Sequence, residues 1–163
     1  MKYLIHFVLG LSLMLAAFGA MPPKKTETFS KEDLKYIGCE VCEKMVSGLK
    51  TFLDDVRENS PRKVLSELQV MEALDYVCNP HNVSGPGVTW IRKIDIVEKK
   101  SNGLSYLKLV EPGGTSKCGS ECLTVAKSCQ DMMDNELDAD DLTSAFLKKT
   151  KFTIADLQVC LQY

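Results

Sequence analysis

Seven cysteines in a chain of 163 residues limit the possible folds more than any other feature of this sequence. At this length we expect one domain around one core, and so many cysteines indicate either disulfide bonds or a metal site. The choice between the two depends on the compartment, because thiols pair in oxidising compartments and stay available for zinc in reducing ones.

The first residues of the chain predict that compartment. Lys2 provides a positive charge, and an apolar run of about 15 residues extends from Leu4 to Phe18. The run is shorter than the ~20 residues that span a bilayer, so residues 1–20 are expected to be a cleaved secretory signal peptide and not an anchor. No second run of this length follows. We therefore expect no transmembrane span in the mature chain, and cysteines that pair in an oxidising lumen.

Composition and charge argue against several classes of function. The 20 basic and 22 acidic residues give a net charge of −2, without the basic excess that a nucleic-acid-binding surface needs. An apolar fraction of 45% argues against intrinsic disorder. Because His6 lies in the signal peptide, the mature chain keeps only His81, which leaves little for histidine-dependent catalysis or zinc binding. We expect no enzyme activity, no cofactor and no bound metal.

After a flexible leader at residues 21–29, the spacing of apolar residues predicts one mainly α-helical domain over residues 30–163. Ser30 is expected to cap the first helix, and Ser60-Pro61 to start a second one that Asn79-Pro80 ends. The predicted inner faces are Leu34, Ile37, Val41, Met45, Leu49, Phe52 and Val56 in the first helix, and Val64, Leu65, Leu68, Met71, Leu74 and Cys78 in the second.

The middle of the chain predicts an inserted β-hairpin at about residues 89–111. Thr89–Glu98 and Leu104–Glu111 are rich in β-branched, aromatic and other apolar residues, and Asn102-Gly103 between them is typical of a two-residue turn. Apolar residues on both faces indicate that part of each face is covered. Before the hairpin, Asn82-Val83-Ser84 is a glycosylation sequon, so Asn82 is a candidate modification site.

Three short helices are expected after the hairpin. The first runs from about Cys118 to Met133, Asp138 caps the second, and Thr153 caps the last. The acidic residues between Asp131 and Asp141 suggest calcium at first sight. They lack the glycine and the final glutamate of an EF-hand loop, so compensation of the helix dipole is the favoured interpretation.

Helical geometry orients the cysteines. Cys39 and Cys42 lie about 60° apart on one side of the first helix, and Cys118, Cys122 and Cys129 form one narrow stripe. Such stripes predict helices that are linked face to face by disulfides. Two cysteines one turn apart on a regular helix pair poorly, so a Cys118–Cys122 bond would need an irregular helix start, which the glycine between them permits.

Cys39 and Cys42 also form the C-x-x-C motif of thiol oxidoreductases. Redox-active pairs of this kind lie at a helix N-terminus, where the helix dipole lowers the pKa of the first thiol. Here the motif lies two or three turns inside a helix that starts at Ser30. A structural role is therefore favoured, and a thiol–disulfide oxidoreductase is kept as an alternative.

The cysteine pattern resembles a saposin-type chain and, more specifically, the canopy family of MIR-interacting saposin-like proteins. The resemblance covers about Cys39 to Cys160, and Cys118–Cys129 (CGSECLTVAKSC) is its most specific part. Trp90–Glu98 (WIRKIDIVE) and Leu107–Glu111 (LKLVE) are also similar to members from plants and protists. The resemblance implies a saposin-like, disulfide-linked helical fold. It also implies an endoplasmic-reticulum protein that assists maturation or surface delivery of receptors and secreted clients by binding, not by catalysis.

The resemblance also implies a disulfide pairing. The implied pairs are Cys42–Cys160 and Cys78–Cys129. Cys39 would pair with a further cysteine after Cys160, but no cysteine follows in this sequence. That departure leaves Cys39 unpaired, or bonded to Cys118 or Cys122.

The leading hypothesis is a non-enzymatic adaptor or co-chaperone that binds secretory client proteins or receptors through the hairpin and the neighbouring helices. The sequence has no KDEL-type ending, so both the endoplasmic-reticulum lumen and secretion are open. Candidate contact residues are Trp90, Ile96, Tyr106 and Leu109, although an aromatic residue beside a hairpin, such as Trp90, more often belongs to the core. The alternative is a saposin-type lipid-binding protein whose amphipathic helices cover lipid tails.

Overall fold

The computed structural model describes residues 31–115, 117–148 and 160. The expected signal peptide, the leader, the Ser30 cap and the helix predicted from Thr153 lie outside these residues. The described part is mainly helical, with a two-stranded antiparallel hairpin. Its elements are α1 (Lys31–Asn59), α2 (Glu67–Tyr76), α3 (Pro86–Trp90), a 3-10 turn (Ile91–Lys93), β1 (Asp95–Ser101), β2 (Leu104–Val110), α4 (Ser120–Asn135) and α5 (Ala139–Leu147).

The long helix α1 is the central element of the domain. Its apolar residues recur every three or four positions, which places Ile37, Met45 and Leu49 fully inside the core, as the sequence predicts. α1 contacts α4, α3 and β2, so three different parts of the chain pack along it. The helix ends at Asn59, two residues before Pro61, because the residue before a proline disfavours helical backbone.

The predicted start of the second helix is wrong. Residues 60–65 form a turn in which Lys63 has a positive φ of 54°, and α2 begins only at Glu67. Ser66 and Gln69 form the capping box that starts it: Ser66 Oγ accepts from the Gln69 amide at 3.3 Å, and the Ser66 amide donates to Gln69 Oε1 at 2.9 Å. The helix therefore starts at a capping box, six residues after the predicted Ser60 cap.

The inner face predicted for the second helix is right only in part, since Leu65, Leu74 and Cys78 are buried as predicted. Val70, Ala73, Leu74 and Val77 are buried, whereas Leu68 is 73% exposed. Val64 and Met71, also predicted to face inward, are exposed as well. The sequence offers two apolar stripes around this helix, and contact with the other elements decides which one is buried.

The predicted hairpin is present, but its first strand begins later. Thr89 and Trp90 end the short helix α3, and the strand starts at Asp95 instead of Thr89. From there the register pairs Asp95 with Val110 and Ser101 with Leu104. Asn102 and Gly103 both have positive φ, at 53° and 80°, which confirms the predicted two-residue turn.

The last described helices agree with the sequence. α4 occupies Ser120–Asn135. Asp138 caps α5, and its Oδ1 accepts from the amides of Asp140 at 2.8 Å and Asp141 at 3.2 Å. Leu142 and Phe146 then point into the core. No helix in residues 31–115 or 117–148 is long and apolar enough to cross a membrane.

Three disulfides join parts of this domain. Cys42–Cys160 ties α1 to a residue near the end of the chain, and Cys78–Cys129 ties the end of α2 to α4, with Cα–Cα distances of 5.7 and 5.5 Å. Both pairs are those that the resemblance implies. Cys118–Cys122 closes a short loop with a Cα–Cα distance of 5.1 Å. It can form because Cys118 lies before the first residue of α4, so the two cysteines do not share a regular helix.

The disulfides are expected to differ in their contribution to stability. Replacing Cys78 and Cys129 together by alanine opens a loop with a sequence separation of 51, whereas replacing Cys118 and Cys122 opens one of only 4. Loop-closure entropy predicts a loss of about 4 kcal/mol for the first pair and about 2 kcal/mol for the second. Urea denaturation of the two double variants measures both losses. An equal or larger loss for Cys118 and Cys122 would contradict this account.

Candidate partner-binding surface

The C-x-x-C cysteines are not bonded to each other. Cys42 is buried and bonded to Cys160, while Cys39 is a partly exposed free thiol. The Cys39 sulfur donates to the backbone oxygen of Cys160 at 2.9 Å. The motif lies in the third turn of α1, well away from the helix N-terminus. In this arrangement the motif fastens the end of the chain to α1.

Glu40, between these two cysteines, holds the hairpin. Its Oε2 accepts a hydrogen bond from the Leu109 amide at 2.8 Å, at the base of β2. One turn further along α1, Lys44 forms an ion pair with Glu111, just after β2. The Lys44 ammonium, through its hydrogen bond and its charge, holds the pKa of the Glu111 carboxyl below its usual range. Two polar side chains of α1, Glu40 and Lys44, therefore fix the base of the hairpin on this helix.

Three of the four residues predicted to contact a partner are buried. Trp90 lies in the core with its Nε1 donating to the Val77 carbonyl at 2.8 Å, and Ile96 and Leu109 form the covered base of the hairpin. They face inward because the register places Ile96 opposite Leu109 on the side that packs on the helices. Only Tyr106 remains at the surface, 42% exposed. Burial therefore argues against direct contact of a partner with Trp90, Ile96 and Leu109.

The outer half of the hairpin projects from the domain. Burial is confined to the base, and the strands are exposed from Glu98 to Tyr106. On the outward face, Tyr106 is opposite Lys99, and Leu104 follows the turn with 73% of its surface exposed. We call Lys99, Leu104, Tyr106 and Lys108 the hairpin surface, because the register places these four residues on one face of the hairpin. It combines two exposed apolar side chains with two cations, although the chain as a whole has a net charge of −2.

Other candidate residues have local explanations. Asp138 caps α5, and Asp134 accepts from Gln130 at 2.8 Å, as acidic residues at helix ends and on exposed helix faces commonly do. Across the described ranges, no three His, Cys, Asp or Glu side chains are grouped so that they could hold a metal ion. Asn82 lies in the loop before α3, and its Oδ1 accepts from the Ser84 amide at 3.0 Å.

Sequence reasoning missed the residues that position the hairpin surface. No local pattern marks Glu40, because its partner is a backbone amide 69 positions away. Gly48 is a weak indication of close packing in the sequence. A glycine inside a helix lowers stability, so its presence suggests that another residue packs against the helix backbone at this position. A Cβ at this position would lie 2.8 Å from Trp90 side-chain atoms. A close aromatic neighbour is therefore the reason for this glycine.

Comparisons with known proteins returned nothing similar. No family model matches this chain, no curated protein matches it, and no solved structure matches it. The candidate surface is therefore defined by the residues of this chain alone.

The free thiol can be tested directly. We expect native protein to react with maleimide at Cys39 only, since the other six cysteines form the three disulfides. Peptide mapping after labelling, without reduction, identifies the modified residue. Cys39→Ser removes the label and serves as the control. Labelling at Cys42 or Cys160 would show that the disulfide at α1 pairs differently.

The ion pair at the hairpin base should make a small, pH-dependent contribution to stability. Because folding lowers the pKa of Glu111, its contribution is present above the unfolded pKa and is lost as pH falls through the folded pKa. Both side chains are substantially exposed, so Glu111→Gln should cost less than about 1 kcal/mol at pH 7. Urea unfolding at pH 7 and pH 3 measures the difference, with Glu136→Gln as an exposed control. A cost that grows toward pH 3 would contradict the assignment.

Proposed function

We propose that this chain is a non-enzymatic adaptor or co-chaperone of the secretory pathway, and that it binds client proteins through the hairpin surface. The observation that supports this most is the exposure of Leu104 and Tyr106 among lysines on a hairpin whose base is held by the core. The resemblance to the canopy family, with its saposin-like fold, agrees with a role in binding. Three disulfides are compatible with a lumenal or secreted protein.

Binding would depend on a hairpin whose base is fixed to α1 and whose outer half is exposed to a partner. Glu40 and Lys44 fix the hairpin on α1, so little ordering entropy is lost when a partner docks. Tyr106 offers a large amphipathic ring, the kind of side chain that often dominates binding energy. Lys99 and Lys108 would attract acidic segments and raise the association rate. The favoured client is an unfolded or partly folded chain that is acidic and contains apolar residues.

Catalysis has less support than binding. The thiol–oxidoreductase alternative would use Cys39 and Cys42, but the Cys42 sulfur is buried in a bond to Cys160. Attack on a substrate needs an accessible thiolate near a second accessible cysteine. Cys39 by itself would lack that resolving partner.

Lipid binding is the second candidate, supported by the exposed side chains of Val64, Leu68 and Met71 at α2. Glu67 and Asp75 also lie on α2, and their charge opposes attachment to anionic membranes. Co-sedimentation with phosphatidylcholine vesicles that Leu68→Ser abolishes would favour this candidate over client binding.

The hairpin surface can be tested with point variants. Leu104→Ser combined with Tyr106→Ser should weaken binding of reduced, carboxymethylated α-lactalbumin, an unfolded acidic chain, at least tenfold by fluorescence anisotropy. Both side chains are exposed, so the fold should be kept. Leu123→Ser on α4 removes a side chain of similar exposure, 52%, and should leave binding unchanged.

The same measurement includes the outcome that would reject the proposal. If the double variant and Leu123→Ser bound the client equally well, the hairpin surface would not be the binding site. Raising the salt concentration should also weaken binding, because exposed lysines are screened. Deletion of residues 89–111 is unsuitable as a test, since it removes Trp90, Ile91 and Ile94 from the core.

A further inference from the structure

A cleft of about 400 Å³ lies between the C-terminal half of α1, the helix α2 and the loop before α3. Its lining includes the apolar side chains of Phe52 and Val56, the ring-bearing Tyr76, and the polar side chains of Gln69 and Glu72. The volume falls within the range of about 300–1,000 Å³ that small-ligand sites occupy. The hairpin surface does not contribute to it.

The sequon residue Asn82 lines this cleft. Its backbone amide donates to Asn79 Oδ1 at 3.3 Å, and its own Oδ1 accepts from the Ser84 amide, so a turn fixes the side chain. Among the described residues, none accepts a hydrogen bond from Asn82 Nδ2. The loop is accessible to a modifying enzyme, because Val83 and Ser84 are exposed. A sugar attached to Nδ2 would therefore begin at the edge of the cleft.

Close packing places Tyr76 beside this loop. A Cβ on Gly85 would lie 2.6 Å from the Tyr76 Cβ, so only glycine allows the loop to approach the end of α2 this closely. The tyrosine is 37% exposed and contributes its ring to the cleft. Because of this contact, the sequon residue Asn82 and the ring of Tyr76 both border the cleft.

We propose that the first N-acetylglucosamine attached to Asn82 occupies this cleft and stabilises the packing of α1 on α2. A pyranose ring has an apolar face of C–H bonds and a polar edge. The apolar face would lie on Tyr76, Phe52 and Val56, and the hydroxyl and acetamido groups would reach Gln69 and Glu72. A lining that combines apolar and polar side chains suits the two parts of such a ring.

The attachment itself is the ordinary transfer from a lipid-pyrophosphate-linked oligosaccharide. Nδ2 of Asn82 forms a bond to C1 of the first sugar, the bond from C1 to the pyrophosphate oxygen breaks, and Nδ2 releases one proton. The proposal uses the lumenal location given under the proposed function and goes beyond it, because client binding by the hairpin surface plays no part in it.

The test compares forms of the full chain made in a eukaryotic secretory host. Endoglycosidase treatment trims the glycan to a single N-acetylglucosamine, and thermal unfolding compares this form with Asn82→Gln and Ser84→Ala, which carry no sugar. We expect the single-sugar form to unfold about 3 °C higher than either variant. The untrimmed glycan should add little more, because only the first sugar reaches the cleft.

Two tyrosines provide the matched control. In Tyr76→Ala the sugar should lose at least half of its stabilising shift, whereas in Tyr106→Ala, a tyrosine of similar exposure on the hairpin, it should keep the shift. Tyr76→Phe retains the ring and should also keep it. If Tyr76→Ala does not fold, Glu72→Ala in the cleft lining replaces it, with a smaller loss expected, because the exposed Glu72 has no part in the capping box of α2.

Three results would overturn the proposal: an unmodified Asn82, a single-sugar form no more stable than Asn82→Gln, or an undiminished shift in Tyr76→Ala. Anisotropy with carboxymethylated α-lactalbumin on the same samples keeps the two proposals apart. If the single-sugar form of the unmutated chain fails to bind the client while the sugar effect is intact, the result counts only against the proposed function. If the chain binds the client but the sugar has no stabilising effect, the result counts only against the proposal that the sugar occupies the cleft.

Discussion

The indole of Trp90 joins parts of the chain that are far apart in sequence. Its ring packs on Gly48 in the middle of α1, and its Nε1 donates to the Val77 carbonyl just after α2. The 3-10 turn that leads into the hairpin follows immediately. Loss of a buried Trp side chain typically costs about 3–5 kcal/mol, so this one contact outweighs the ion pair at the hairpin base. The position of α2 and the base of the hairpin both depend on it.

With that base fixed, the rest of the hairpin is free to serve as a surface. Glu40 accepts from the Leu109 amide and prevents the lower edge of β2 from separating from α1. Beyond this point the strands leave the core, and Leu104 and Tyr106 remain exposed. The disulfides hold the helices on which this arrangement rests. A hairpin with a fixed base and an exposed outer half is consistent with a role in binding.

Local sequence signals predicted the elements whose causes are local. α1 follows from its apolar spacing, the hairpin turn from Asn102-Gly103, and the start of α5 from the Asp138 cap. The second helix was predicted less well, because Ser60-Pro61 and Ser66 with Gln69 are both valid start signals. Four of the candidate site assignments depended on which face of a strand or helix is covered, and local pattern cannot decide that where both faces carry apolar residues.

The sequence by itself determined that this is a cysteine-rich helical domain with an inserted hairpin, since helix periodicity, turn residues and cysteine spacing act over a few residues. Tertiary structure alone decided that Trp90, Ile96 and Leu109 are buried while Leu68, Leu104 and Tyr106 are exposed. It also placed Asn82 beside Tyr76 at one cleft. These outcomes depend on contacts between distant segments, such as Trp90 with Gly48, because burial is set by what packs against a side chain and not by its neighbours in sequence.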